Sequence, residues 1–164
     1  MRVAQTALSA LFLSRRLSAC LIAFAFSLCV WAPGIHADMQ IIQGETRTKS
    51  FENVVFDLEF AITQRNFRIT ARNDIGRGIR ERGVKNFPNA MIIHFCNLTF
   101  ARKALQLDPL LITYMPCRMA VYDDGDRVIV STSLLPENSS NAQINAFARR
   151  INDILRQIIS FAVN

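Results

Sequence analysis

Near the end of the chain, Ile144, Phe147, Ala148, Ile151, Ile154, Leu155, Ile158 and Ala162 recur at steps of three and four residues. That spacing puts them on one face of a helix, with Arg149, Arg150 and Arg156 among the polar positions. The helix is expected over about 140–162, opened by Ser140 and Gln143 as a capping box. So long an apolar face must be buried against another element, and the preceding segments offer a sheet. Ala90–Cys96, Cys117–Tyr122 and Arg127–Thr132 are rich in strand formers, and Asp123-Asp-Gly-Asp126 between the last two is a hairpin signal. Phe67–Arg72 alternates apolar and polar residues, and Met39–Thr46 alternates loosely, as an edge strand would. Ser50 caps a second amphipathic helix through Phe51, Val54, Val55, Leu58, Ala61 and Ile62, and Asn66 tolerates the left-handed backbone that ends it. Residues 74–86 read as a short helix or loop. Asn97 or Thr99 caps a short helix over Ala101–Leu107, stopped by Asp108-Pro109. The expected class is a single α+β domain, an antiparallel-type sheet with an N-terminal amphipathic helix and a C-terminal helix.

The N-terminus carries Arg2, Arg15 and Arg16, no acidic residue, and the apolar-dominated stretch Leu17–Trp31. Pro33-Gly34 then break the run, and Ile35-His36-Ala37 precede Asp38. This is the pattern of a secretory signal over residues 1–37, cut near Ala37-Asp38. The apolar run is shorter than the roughly 20 residues of a spanning helix, so the membrane is met only transiently. The expected location is the periplasm or the secreted fraction. Cutting 37 of 164 residues leaves a domain of 127, residues 38–164. It holds two cysteines and a net charge of +3, because three of the 19 basic residues lie in the leader. A charge of +3 outside the cell gives no ground for a nucleic-acid partner.

Cys96-Asn97-Leu98-Thr99, Ala104-Leu105-Gln106-Leu107-Asp108-Pro109, Pro116-Cys117-Arg118-Met119 and Asp124-Gly125 stand in an order that resembles family number 302 of the domains of unknown function. Thr48-Lys49-Ser50-Phe51 ahead of an amphipathic helix fits it too. The resemblance spans roughly residues 46–134. It implies an α+β domain related to the saddle of TATA-box-binding proteins, and it carries over no catalytic residue. Asn66, where members often place Gly, and His94 depart from its pattern.

Cys96 and Cys117 are the residues where chemistry concentrates. If their strands are neighbours the two thiols meet, and an oxidising compartment then permits a disulfide between them. Two buried, reduced thiols acting as small apolar side chains are the plain alternative. The absence of Cys-x-x-Cys spacing weighs against thiol-redox work. Cys, His and Met together suit copper or zinc, so His94, Cys96 and Cys117, with Met115 or Met119 nearby, form a soft-metal candidate. Arg118 reads as one half of an ion pair with Asp108 or Asp123, or as an anion-binding residue. Arg72, Arg77, Arg80, Arg82 and Lys85, interspersed with Asp74 and Glu81, read as a solvated face. No Ser-His-Asp order with supporting context occurs, which weighs against an enzyme. The favoured function is a secreted, non-enzymatic accessory domain that binds a small ligand or a partner protein. The alternative is a thiol-redox or metal-handling protein built on Cys96, Cys117 and His94.

Overall fold

The computed structural model describes residues 40–164; the leader expected over residues 1–37 and its expected cut lie outside the described residues. Five strands form one antiparallel sheet: β1 (Ile41–Thr46), β2 (Arg68–Asp74), β3 (Ala90–Cys96), β4 (Cys117–Asp123) and β5 (Val128–Ser133), in the order β1-β5-β4-β3-β2. Helix α1 (Phe51–Gln64) joins β1 to β2 and so crosses from one edge of the sheet to the other. Helix α2 (Ile75–Glu81) follows β2, and α3 (Leu98–Leu107) with a 3₁₀ segment (Pro109–Tyr114) joins β3 to β4. Helix α4 (Ala142–Val163) ends the fold. Among the described residues no helix is long and apolar enough to cross a membrane.

Local chemistry explains most boundaries. The Ser50 hydroxyl accepts the Asn53 N–H at 3.2 Å and opens α1, and Asn66 ends it with φ of 59°. Asp74 caps α2 by accepting from the Arg77 N–H at 2.8 Å. Asn97 accepts from the Thr99 and Phe100 N–H groups at 2.9 and 3.1 Å, so α3 begins at Leu98, three residues before the expected start. Asp108 stops α3, and its carboxylate, accepting from the Leu110 N–H, starts the 3₁₀ segment that the sequence did not announce. The expected Ser140–Gln143 box is corrected: Asn141 caps α4 by accepting from the Gln143 N–H at 2.9 Å. Asn145 binds the Ser139 backbone from within the helix, which holds the chain in an extended path for one residue longer.

The register sorts the side chains of the sheet. Ile93 stands opposite Met119, and Phe95 opposite Cys117, and the first three are fully buried under the helices. Leu58 and Ile62 of α1 meet Leu155 and Ile158 of α4 in the same core. Gly44 lets β1 lie close to α4, since a Cβ there would stand 2.6 Å from Ile159 Cγ2. Among the described residues no helix covers the opposite face of the sheet. Alternation sends Ile92, His94, Cys96, Arg118, Ala120 and Tyr122 to that side.

Candidate functional site

The helical cover is incomplete at one corner, where β3 ends and β4 begins. Helix α3 packs there on the first half of α4: Phe100 lies 5.8 Å from Phe67 and 6.5 Å from Phe147, ring centre to ring centre. Arg150 of α4 sits over the Phe100 ring at 5.3 Å. The 3₁₀ segment then runs back toward the sheet. It buries Leu111 but leaves Leu110, Ile112 and Tyr114 exposed, Leu110 to 73%. A six-residue segment of this kind cannot fill the corner, and three cavities remain around it.

The chain after β5 forms the far wall. Residues Leu135–Ser139 run extended along α4, held by two asparagines seven residues apart and hence on one helix face. Asn152, fully buried, accepts the Leu135 N–H at 2.8 Å and donates to the Leu135 carbonyl at 2.9 Å and to Glu137 at 2.7 Å. Asn145 does the same at Ser139, accepting and donating at 2.8 Å each. These amides replace the partners that an extended strand would find in a sheet. The helical stripe passed over both, because asparagine carries no apolar signal. Their i, i+7 spacing was the only sequence trace.

The first cavity is narrow, about 40 Å³, and mostly apolar. Phe67, Phe100, Leu111, Phe147 and Ile151 surround it, and Cys96, Met115 and Cys117 open onto it. A second, of about 400 Å³, lies between the 3₁₀ segment and the far wall, with Asp108, Asn138 and Ser139 among its polar groups. A third, of about 240 Å³, holds His94, Arg118 and Thr132. The second and third share Thr113, Tyr114 and Leu135 in their walls and lie on either side of the tyrosine.

The expected site residues therefore part company. The strands of Cys96 and Cys117 are neighbours, but Cys117 pairs with Phe95, so Cys96 is one residue beyond its direct partner. Both are free thiols, half-buried on the same narrow cavity. Burial, with the Cys96 thiol adding to it, pushes the Cys117 pKa up to about 11. A thiol so placed is protonated at neutral pH and is a weak nucleophile. His94 lines the third cavity, whose wall Met115 and Cys117 share, and stands opposite Arg118 in the ladder. Met119 is sealed in the core, whereas Met115 reaches the cavity. Among the described residues no three His, Cys, Asp or Glu side chains are grouped to hold a metal.

The ion pair expected for Arg118 is corrected. Among the described residues it makes none, because its position on the uncovered face points it away from Asp108 and Asp123. The basic segment is engaged in the structure itself. Arg72 donates to both carboxylate oxygens of Glu59, at 2.5 and 2.8 Å, and this pairing raises its own pKa. Arg77 lies 3.8 Å from Asp74 and from Glu81, and Arg80 and Arg82 donate to backbone carbonyls.

An open antiparallel sheet with helices on one face and a grooved corner defines the class as an α+β domain. The family model described as "Domain of unknown function DUF302" matches residues 43–162, and the chain belongs to that family. A crystal structure of the uncharacterized conserved protein DUF302 from Bacillus stearothermophilus superposes with a TM-score of 0.67 at 16% identity. The match covers 76% of this chain and 98% of that one, and it shows the shared fold. Comparison with curated proteins finds no match.

Proposed function

We propose that this chain is a secreted, non-enzymatic binding domain that takes a small, largely apolar ligand in the groove around Tyr114. The observation that carries this reading is the groove itself: two adjoining cavities of about 400 and 240 Å³, the larger within the range that small-molecule sites use. Its walls mix apolar side chains (Leu111, Leu135, Ile144) with Thr113, Ser139 and Thr132, and hold Asp108 in one cavity and His94 and Arg118 in the other, a lining that fits a ligand with an apolar body and polar ends. The far wall is held by the Asn145 and Asn152 amides, which keeps the groove formed without a ligand. The leader pattern over residues 1–37 supports a periplasmic or secreted location.

An environment-sensitive naphthalene dye tests it. One dye is expected to bind per chain, and Tyr114→Ala, at a half-exposed residue, is expected to weaken binding roughly ten-fold with the fold intact. Equal dye affinity in the variant would remove the groove from consideration.

A further inference from the structure

We propose that the groove between α3 and α4 is a second binding site, for a small organic carboxylate whose head is held by Arg150 and Lys103 and whose apolar body lies along the groove. It shares only Phe147 with the second and third cavities and stands independently of the reading given for them. The groove follows from helix periodicity. Phe100, Lys103 and Leu107 stand at steps of three and four on α3, and Ala146, Phe147 and Arg150 do so on α4, so each set forms one helix face. The two faces line one cavity of about 340 Å³, a size that small-molecule sites use. Phe100 and the buried Phe147, 6.5 Å apart ring centre to ring centre, join the two helices. Ala146, exposed and with a side chain of a single methyl group, leaves room beside them.

The class of ligand follows from charge. Of the residues lining the groove only Lys103, on one wall, and Arg150, on the other, are charged, and both are cations. Neither forms an ion pair among the described residues. The carboxylates nearest to them along the two helices are engaged elsewhere: Asp108 accepts the Leu110 N–H at 2.8 Å, and Asp153 pairs with Arg156 at 2.9 Å. Arg150 sits over the Phe100 ring at 5.3 Å, which holds the guanidinium in place and leaves its fork of N–H donors to a carboxylate, able to take two of them side by side. Lys103 adds a second positive charge from the facing wall, and a cleft lined by one sign of charge concentrates ions of the other. A neutral ligand would leave both cations unmatched, and a cationic one would be repelled. The ligand is organic rather than a bare ion because Phe100, Leu107 and Phe147 offer apolar surface that an inorganic anion does not use.

The test follows the backbone amide signals of the full chain by NMR during titration with octanoate below its micelle-forming concentration, with octanol, octylamine and inorganic phosphate as comparisons. Octanoate is expected to shift the Lys103, Ala146 and Arg150 amides to saturation, roughly ten-fold more tightly than octanol or phosphate, with octylamine inert there. Lys103→Gln and Arg150→Gln, both at exposed positions, are each expected to weaken octanoate roughly ten-fold, and together to bring it to the level of octanol. Ala146→Phe, which fills the groove and keeps both charges, is expected to abolish binding. Tyr114→Ala is expected to leave these shifts unchanged, so the outcome here is read separately from that for the Tyr114 groove. Octanol binding as tightly as octanoate at these amides would overturn the proposal. So would undiminished octanoate binding in the double glutamine variant or in Ala146→Phe, or phosphate binding as tightly as octanoate.

Discussion

The two ends of the helical cover are built by different means. Under α1 and the second half of α4, Leu58, Ile62, Ile93, Met119, Leu155 and Ile158 are fully buried and close on one another. At the α3 corner, exposed Leu110 and Ile112 flank three cavities, and an asparagine pair rather than apolar packing holds the far wall. The contrast separates two tasks. The packed end supplies stability by burying apolar surface. The corner keeps its shape through hydrogen bonds that leave room beside them, and room is what a ligand or an ion requires.

The largest effect should come from emptying the packed end. Leu58→Ala removes a side chain with no exposed surface from the α1 face of the core, and is expected to cost about 2–5 kcal/mol in urea unfolding. Leu110→Ala in the corner should cost under about 0.5 kcal/mol. Equal losses would end the comparison.

Asn152→Ala comes next. It leaves the Leu135 N–H and carbonyl without their partner inside the protein, at an expected cost of about 2–3 kcal/mol. Hydrogen exchange at the Leu135 amide should accelerate while exchange at Ile93 follows only global unfolding. Unchanged protection at Leu135 would mean that apolar contacts, not the amide, hold the wall.

A pH dependence of comparable size comes last. Burial raises the Cys117 pKa from about 9 in the unfolded chain to about 11 in the fold. The folded state therefore keeps the proton longer, so the contribution is fully present below pH 9 and is lost as pH rises through 11. The loss should be roughly 2–3 kcal/mol across that window, and Cys117→Ser should flatten it. A variant with the same alkaline slope would place the titrating group elsewhere.

Much of the fold was legible in the chain. The stripe from Ile144 to Ala162 and the alternation of β3 to β5 are local patterns whose periods match helix and strand, and they survive because every level of the fold agrees with them. Caps at Ser50 and Asn97 were legible for the same reason. The 3₁₀ segment was not: Leu110-Leu-Ile-Thr-Tyr114 has no period of its own, and Pro109 reads only as a stop. Asn145 and Asn152 were invisible because a buried amide is recognised by its partner, and that partner lies in another element. Of the candidate site, Cys96 and Cys117 stood out by residue type alone. Their one-residue offset needed the register of β3 on β4.

The sequence by itself determined which segments are helix and which are strand, and hence an α+β domain, because the alternation of apolar and polar residues is written along the chain. Only the tertiary structure decided which strand neighbours which, that the thiols and Met115 share one small cavity, and that a groove remains beside it. These depend on how elements far apart in sequence pack, and a short 3₁₀ segment facing two asparagines of a distant helix leaves no periodic mark in the chain that forms them.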